Sequence, residues 1–150
     1  MYNRILVPLD GSPVAEAVLP QAEMLAKCSD AEIVLLSVVV YPSVDYYIPD
    51  PAMAISVHME QQNASKKYLW HVADELRAQG LHVRTELCEG PVAEAILDYA
   101  DSTQSDLIAM STHGRSGFGR FLLGSVAEKV VRSAKVPVLL VRPANRSGMI

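Results

Sequence analysis

The chain has 150 residues, 50% of them hydrophobic and 20% charged, which suits one ordinary domain with a single buried core. A net charge of -4 offers no global basic field for nucleic acid. The longest apolar run, Ile33 to Val40 with Ser37 inside it, falls well short of the roughly twenty residues a membrane helix needs. The N-terminus runs straight into Arg4-Ile5-Leu6-Val7-Pro8-Leu9-Asp10 without a signal-peptide pattern, so a cytoplasmic location is expected. Cys28 and Cys88 are far apart in sequence and form no Cys-x-x-Cys pair, so they read as reduced thiols rather than a disulfide or metal pair.

In chain order, Ile5 to Leu9 reads as a strand. Ser12 as a cap and Pro13 at the first helical position then open a helix, with Val14, Val18, Ala22, Leu25 and Ala26 at helical spacing. Pro20 lies inside that helix and is expected to kink it or remove one hydrogen bond. Ile33 to Val39 is a second strand, apolar on both faces as buried parallel strands are. Tyr41 to Ser56 holds Pro42, Pro49 and Pro51 among tyrosines and reads as a long loop that either closes over a ligand or is merely mobile. Val57 to Gln79 reads as a helix with Leu69, Val72 and Leu76 on one stripe and Gly80 as its stop. Leu81 to Leu87 is a third strand, and Pro91 opens a helix to about Ala100 with Val92, Ile96 and Tyr99 inward. Asp106 to Met110 leads into a fourth strand, Ser125 to Ser133 is a last helix, and Val136 to Val141 is a fifth strand. Alternation of this kind predicts a single domain over 1–150: an α/β, open, doubly wound parallel sheet with helices on both faces.

In such sheets ligands bind beyond the carboxyl ends of the strands, where the strand order reverses. The segment from Ser111 to Ser125 carries the most chemistry there. It holds Gly114, Gly117, Gly119 and Gly124, hydroxyls at Ser111, Thr112, Ser116 and Ser125, and the cations Arg115 and Arg120, with no carboxylate between Asp106 and Glu128. An acid-free, glycine-rich loop that ends at a helix start is suited to phosphate. A flexible connector with a helix cap fits the same composition. It is not a Walker A loop, because Ser125 rather than Lys follows Gly124, and the G-x-G-x-x-G fingerprint fails at Leu122. Asp10 before Gly11-Ser12 is either a ligand contact or a turn former, and His113 either bonds phosphate or satisfies local backbone. His58, His71 and His82 lack metal-ligand spacing. Tyr68 and Trp70 read as packed or half-buried helix-face residues.

The stretch Met110-Ser111-Thr112-His113-Gly114 through Leu122-Leu123-Gly124-Ser125-Val126-Ala127-Glu128 resembles the signature of the universal stress protein family. Its ATP-binding branch carries G-x-x-G, nine residues, then G-[ST]; Gly114, the residues Arg115 to Leu123, and Gly124-Ser125 match, whereas Ser111 stands at the first glycine. Ile5 to Ser12, Gly90 to Ile96 and Val136 to Arg142 are similar to the family's opening, third-turn and closing segments. The resemblance implies a Rossmann-like sheet of strand order 3-2-1-4-5. It also implies ATP as ligand, with Mg2+ or Mn2+ possible beside it. By position, Asp10 would contact ribose or, indirectly, a metal held by the phosphates. Val38 would meet adenine through its backbone. Met110 and Ser111 would line the nucleotide, and Gly114, Gly124 and Ser125 would hold phosphate, with Pro8, Leu9, His113, Arg115 and Val126 around them. A regulator or sensor working through ATP occupancy and homodimer formation along Val136–Val141 follows, with no nucleic-acid or membrane partner. The competing readings are a slow ATPase or phosphotransferase and a dimeric stress protein without nucleotide. No well-marked general base stands where one would serve hydrolysis, so at most weak ATP hydrolysis is expected.

Overall fold

The computed structural model describes residues 1–41, 50–114 and 123–144. Strands β1 (Arg4–Pro8), β2 (Glu32–Val39), β3 (Val83–Glu89), β4 (Leu107–Ser111) and β5 (Val138–Val141) form one sheet in the order β3-β2-β1-β4-β5. All four pairings are parallel, as the alternation predicts. The helices are α1 (Leu19–Ser29), α2 (Pro51–Arg77), α3 (Val92–Ser102) and α4 (Ser125–Ser133), with a short 3-10 helix at Ala15–Val18 before α1.

Successive strand side chains face opposite sides, and that alternation divides the core in two. Ile5, Val7, Ile33 and Leu35 pack with Ala22 and Ala26 of α1 and with Leu69, Val72 and Leu76 of α2. Leu6, Val34, Leu36, Ile108 and Met110 pack with Ala93, Ile96 and Ala100 of α3 and with Ala127 and Val130 of α4. The crossovers therefore cover both faces of the sheet, and its three inner strands carry the fully buried side chains.

Several boundaries differ from the sequence expectation. The Ser12 hydroxyl accepts the Ala15 N–H at 3.2 Å in the turn ahead of the 3-10 helix, but the N-cap positions are Val14 for that helix and Val18 for α1, so Ser12 does not cap a helix as expected. Because α1 starts at Leu19, Pro20 lies in its first turn, where the missing N–H costs no α-helical bond within α1. The expected loop from Tyr41 to Ser56 ends early. Asp50 accepts the Ala52 N–H at 3.0 Å as an N-cap, Pro51 takes the first helical position, and α2 runs 27 residues from there. Residues 42–49 lie outside the described part. Trp70 is 58% exposed rather than packed, while Tyr68 packs against the α1–α2 core. β3 and β5 each start two residues later than expected, at Val83 and Val138. Gly80 has φ +86° just past α2, the left-handed conformation its reading as a stop requires. Cys28 is exposed and Cys88 partly buried, both free; burial, then the charge of Glu86, raises the Cys88 thiol pKa. No helix among the described residues is long and apolar enough to cross a membrane.

Candidate functional site

The chain leaves β1 toward β2 on one side, and β4 lies on the other side of β1, so the order reverses between β1 and β4. The carboxyl ends of these two strands deliver Asp10 and the segment Ser111–Gly114 to that switch point.

Asp10 is held in a turn. Its Oδ1 accepts the Ser12 backbone N–H at 2.9 Å and the Ser12 hydroxyl at 2.5 Å. Ser12 is buried, and its oxygen in turn accepts from Ala15. The turn-forming role of Asp10 is thus present, and it fixes one carboxylate oxygen. The other lies beside Gly114, where an added Cβ would stand 2.7 Å from Oδ2. Leu9 is buried, and its N–H donates to the Leu36 carbonyl at 2.8 Å, while Pro8 is half-buried.

The β4 end is similarly tied. Met110, Ser111 and Thr112 are buried. Ser111 is the last β4 residue, pairs with Val141, and accepts the His113 N–H at 3.4 Å through its hydroxyl. The Thr112 N–H donates to the Val141 carbonyl at 2.9 Å. The Thr112 carbonyl accepts the Gly124 N–H at 2.8 Å, which brings the start of α4 back onto the β4 end. His113 Nδ1 lies 3.0 Å from the Thr112 hydroxyl, a local partner but a side chain rather than the backbone expected. Gly124 is the N-cap of α4 with φ -58°, and Ser125 and Val126 begin the helix. Val126 packs its side chain on the α3–α4 core, so its backbone alone belongs to the helix start. Arg115 and Arg120 lie outside the described residues.

Val38 closes the third side. The bond from Leu9 fixes the Leu36 carbonyl as facing β1, and strand alternation turns the Val38 backbone the same way. The β1–β2 register ends at Pro8 with Leu36, so the Val38 N–H and C=O face the crevice beyond it. On its other side β2 stays paired with β3 through Val39 and Glu89. The Val38 side chain packs on the α3–α4 core.

The structure therefore brings Asp10, Ser111, Gly114, Gly124 and the Val38 backbone to one end of the sheet, with Asp10 in the place a side chain at Gly114 would need. Two anchors lay outside the sequence reading's binding set. Ser12 was signalled by its place two residues after Asp10, the spacing of an Asx-turn. The Thr112 carbonyl carries no residue-type signal, because any residue supplies a carbonyl. Among the described residues no group of three or more His, Cys, Asp or Glu is placed to hold a metal.

Residues 1–142 match the universal stress protein family. Universal stress protein MJ0531 of Methanocaldococcus jannaschii is 39% identical over 149 residues, covering 97% of this chain and 85% of the relative. The solved structure of MJ0577, from the same organism, superposes with a TM-score of 0.85 at 28% identity, over 97% of this chain and 99% of the other. An Arabidopsis thaliana universal stress protein family protein with AMP bound superposes with a TM-score of 0.70 at 15% identity, over 95% and 93% of the two chains. At that identity the last likeness speaks for the fold alone.

Proposed function

The chain belongs to the universal stress protein family, and from that premise we propose that it is an ATP-binding, cytoplasmic stress-response regulator whose nucleotide occupancy and dimer state are read by a partner. The observation that carries the reading is the convergence of the Asp10 carboxylate and Gly114 at the switch point, with the open backbone of Val38 beside it. Backbone N–H groups at Gly114 and Ser125, together with the dipole of α4, suit phosphate, whereas the Gly124 N–H is taken by the Thr112 carbonyl and leaves that residue only its lack of a side chain to offer. The lack of a side chain at Gly114 and Gly124 lets the phosphate come close. Asp10, its orientation set by Ser12, would meet the ribose hydroxyls. A divalent cation, if carried with ATP, would be held chiefly by the phosphates, with Asp10 the nearest described carboxylate to them by position.

The Val38 backbone selects the base. Adenine offers an N–H donor beside a ring acceptor, the complement of a C=O beside an N–H. Guanine reverses both and would leave the pair unmatched. Titration calorimetry with ATP and GTP tests this, along with mass spectrometry of nucleotide released from the purified protein. ATP should bind more tightly than GTP and raise the melting temperature by mass action. No heat and no thermal shift at millimolar ATP would defeat the reading.

The dimer reading rests on unequal edges. β3 presents Arg84 and Glu86 at one edge, paired at 3.5 Å, and charge of this kind discourages strand addition. β5 presents Val138, Leu139, Leu140 and Val141 at the other, all partly exposed and uncharged. A second copy pairing along β5 would cover them. At most weak ATP hydrolysis belongs to this reading, because the sequence offers no well-marked general base.

A further inference from the structure

His58, on the third turn of α2, is buried although it contributes to neither core. Its Nε2 lies 2.8 Å from Oε1 of Glu89, the last residue of β3. The Glu89 carboxylate can only accept, so the tautomer with the proton on Nε2 satisfies this contact. Gln62, one turn along the same helix, donates its amide to the same carboxylate oxygen. The His58 ring also meets the ring of Tyr41, with centroids 4.7 Å apart and planes at 50°. Tyr41 follows β2 by two residues.

These contacts close a ring. The Val39 backbone pairs with Glu89 across the β2–β3 ladder, and its carbonyl accepts the Gly90 N–H at 3.3 Å. The Glu89 side chain holds His58, His58 holds Tyr41, and two peptide bonds return from Tyr41 to Val39. Gly90 has φ +124°, a conformation that lets the chain turn away from β3 directly after its bond to Val39. At this point β1 no longer borders β2, so among the described residues this ring joins the β3 ladder and the packing of the Val38 side chain in holding the strand end from Val38 to Tyr41. The crevice-facing N–H and C=O of Val38 lie at its start.

We infer that His58, with Glu89, is a positioning residue that sets the base preference of the nucleotide site by holding the exit of β2; this rests on the ATP-binding reading above. His58 acts through the Val38 backbone and touches no ligand. Two-point recognition by one N–H and one C=O depends on the direction of the strand. A strand end free to twist would accept adenine and guanine more equally.

The test uses the full chain and titrates ATP and GTP into wild type, His58→Phe, Glu89→Ala and Glu89→Gln. His58→Phe keeps a ring against Tyr41 and removes the donor. Glu89→Ala removes the acceptor from a side chain that is 51% exposed, so the fold should tolerate it if His58→Phe does not fold. Glu89→Gln keeps an oxygen that can accept. Both His58→Phe and Glu89→Ala should lower the ATP-over-GTP preference by about tenfold, chiefly by weakening ATP, and should speed amide exchange at residues 38 to 41 in the nucleotide-free protein. Glu89→Gln should stay close to wild type in both respects. A wild-type ATP-over-GTP ratio in His58→Phe and Glu89→Ala overturns the inference and leaves the ATP-binding reading intact. A wild type that takes up neither nucleotide overturns both.

Discussion

The Asp10 carboxylate occupies the place a side chain at Gly114 would need: a Cβ there would lie 2.7 Å from Asp10 Oδ2, closer than real Cβ atoms come. Something must move, and the far end of a side chain usually moves easily. Here Oδ1 of the same carboxylate is held twice by Ser12, so rotating Asp10 away breaks both bonds. Gly114→Val is therefore expected to displace Asp10, narrow the crevice and reduce ATP affinity by at least about a hundredfold, or 2.7 kcal/mol. Circular dichroism should show the fold retained, because the clash is at the sheet's end. Normal ATP binding by this variant would place the phosphate cradle elsewhere.

Gly124 is constrained differently. A Cβ there meets the Thr112 carbonyl at 3.1 Å, and the same carbonyl accepts the Gly124 N–H. The neighbour is backbone and gives way only by shifting the strand end or the start of α4. With φ at -58°, a larger residue pays no left-handed penalty at Gly124, so the effect is steric alone. Gly124→Val should lose ATP binding and also destabilise the nucleotide-free protein by about 1–3 kcal/mol. Thermal melts without nucleotide check this: the melting temperature should fall for Gly124→Val and change less for Gly114→Val.

The parallel sheet and its two-faced core were legible because buried β-branched runs alternate with helical stripes, and each alternation has a physical period; the strand order, and with it the switch point between β1 and β4, came from the family resemblance instead. What was missed lies where burial does not set the pattern. The first turns of α2 expose Met53, Ile55 and Met59, so no apolar stripe marks the helix, and Pro51 resembles loop punctuation unless Asp50 is read as its cap. His58 was set aside for want of metal-ligand spacing. Its partner Glu89 is 31 residues away in sequence, and only the register of β3 with β2 brings them together. The Asp10 turn was legible in the residues Asp-Gly-Ser, but its approach to Gly114 required the fold.

Tyr68 offers a test through pH. Its hydroxyl is buried, and burial first, then the Glu16 and Asp10 carboxylates, hold its ionisation well above the ordinary tyrosine range. The folded state thus keeps this phenol protonated where the unfolded chain ionises it, at about pH 10. The stability it contributes is fully present below that pH and is lost as pH rises from there toward the folded-state value. Tyr99 is shifted the same way, by burial foremost, so part of the slope belongs to it. Tyr68→Phe should flatten the fall in melting temperature above about pH 10 while leaving stability near pH 7 within about 1 kcal/mol. An unchanged alkaline slope would show that Tyr68 is not held as described.

The β5 edge can be tested by giving it the charge that β3 already has. Leu139 is partly exposed, and a lysine there can reach water with its amine while its stem stays on the core. Leu139→Lys should turn a dimer into a monomer by light scattering at micromolar protein, with the helical signal retained. A wild type that is already monomeric at those concentrations would remove the edge-pairing reading.

Ser111 stands where the family's ATP-binding motif has its first glycine, and two views of it make different predictions. If the glycine serves a left-handed backbone, serine is strained and the site disabled. The structure places Ser111 as the last residue of β4, opposite Val141 and without positive φ, so serine carries no such strain. If the glycine instead serves close approach, the added Cβ and hydroxyl matter through the space they take. The hydroxyl is buried and turned to the His113 N–H at 3.4 Å, a long bond that a better acceptor could replace. A ribose or phosphate oxygen within reach could take the hydroxyl as donor, at about 0.5–1.5 kcal/mol for the bond, which would offset a modest steric cost. Ser111→Gly is therefore expected to change ATP affinity by no more than about tenfold, or 1.4 kcal/mol, in either direction. Wild type and variant are titrated side by side. Binding by the glycine variant alone would mean that serine silences the site in the natural chain, with the fold unaffected.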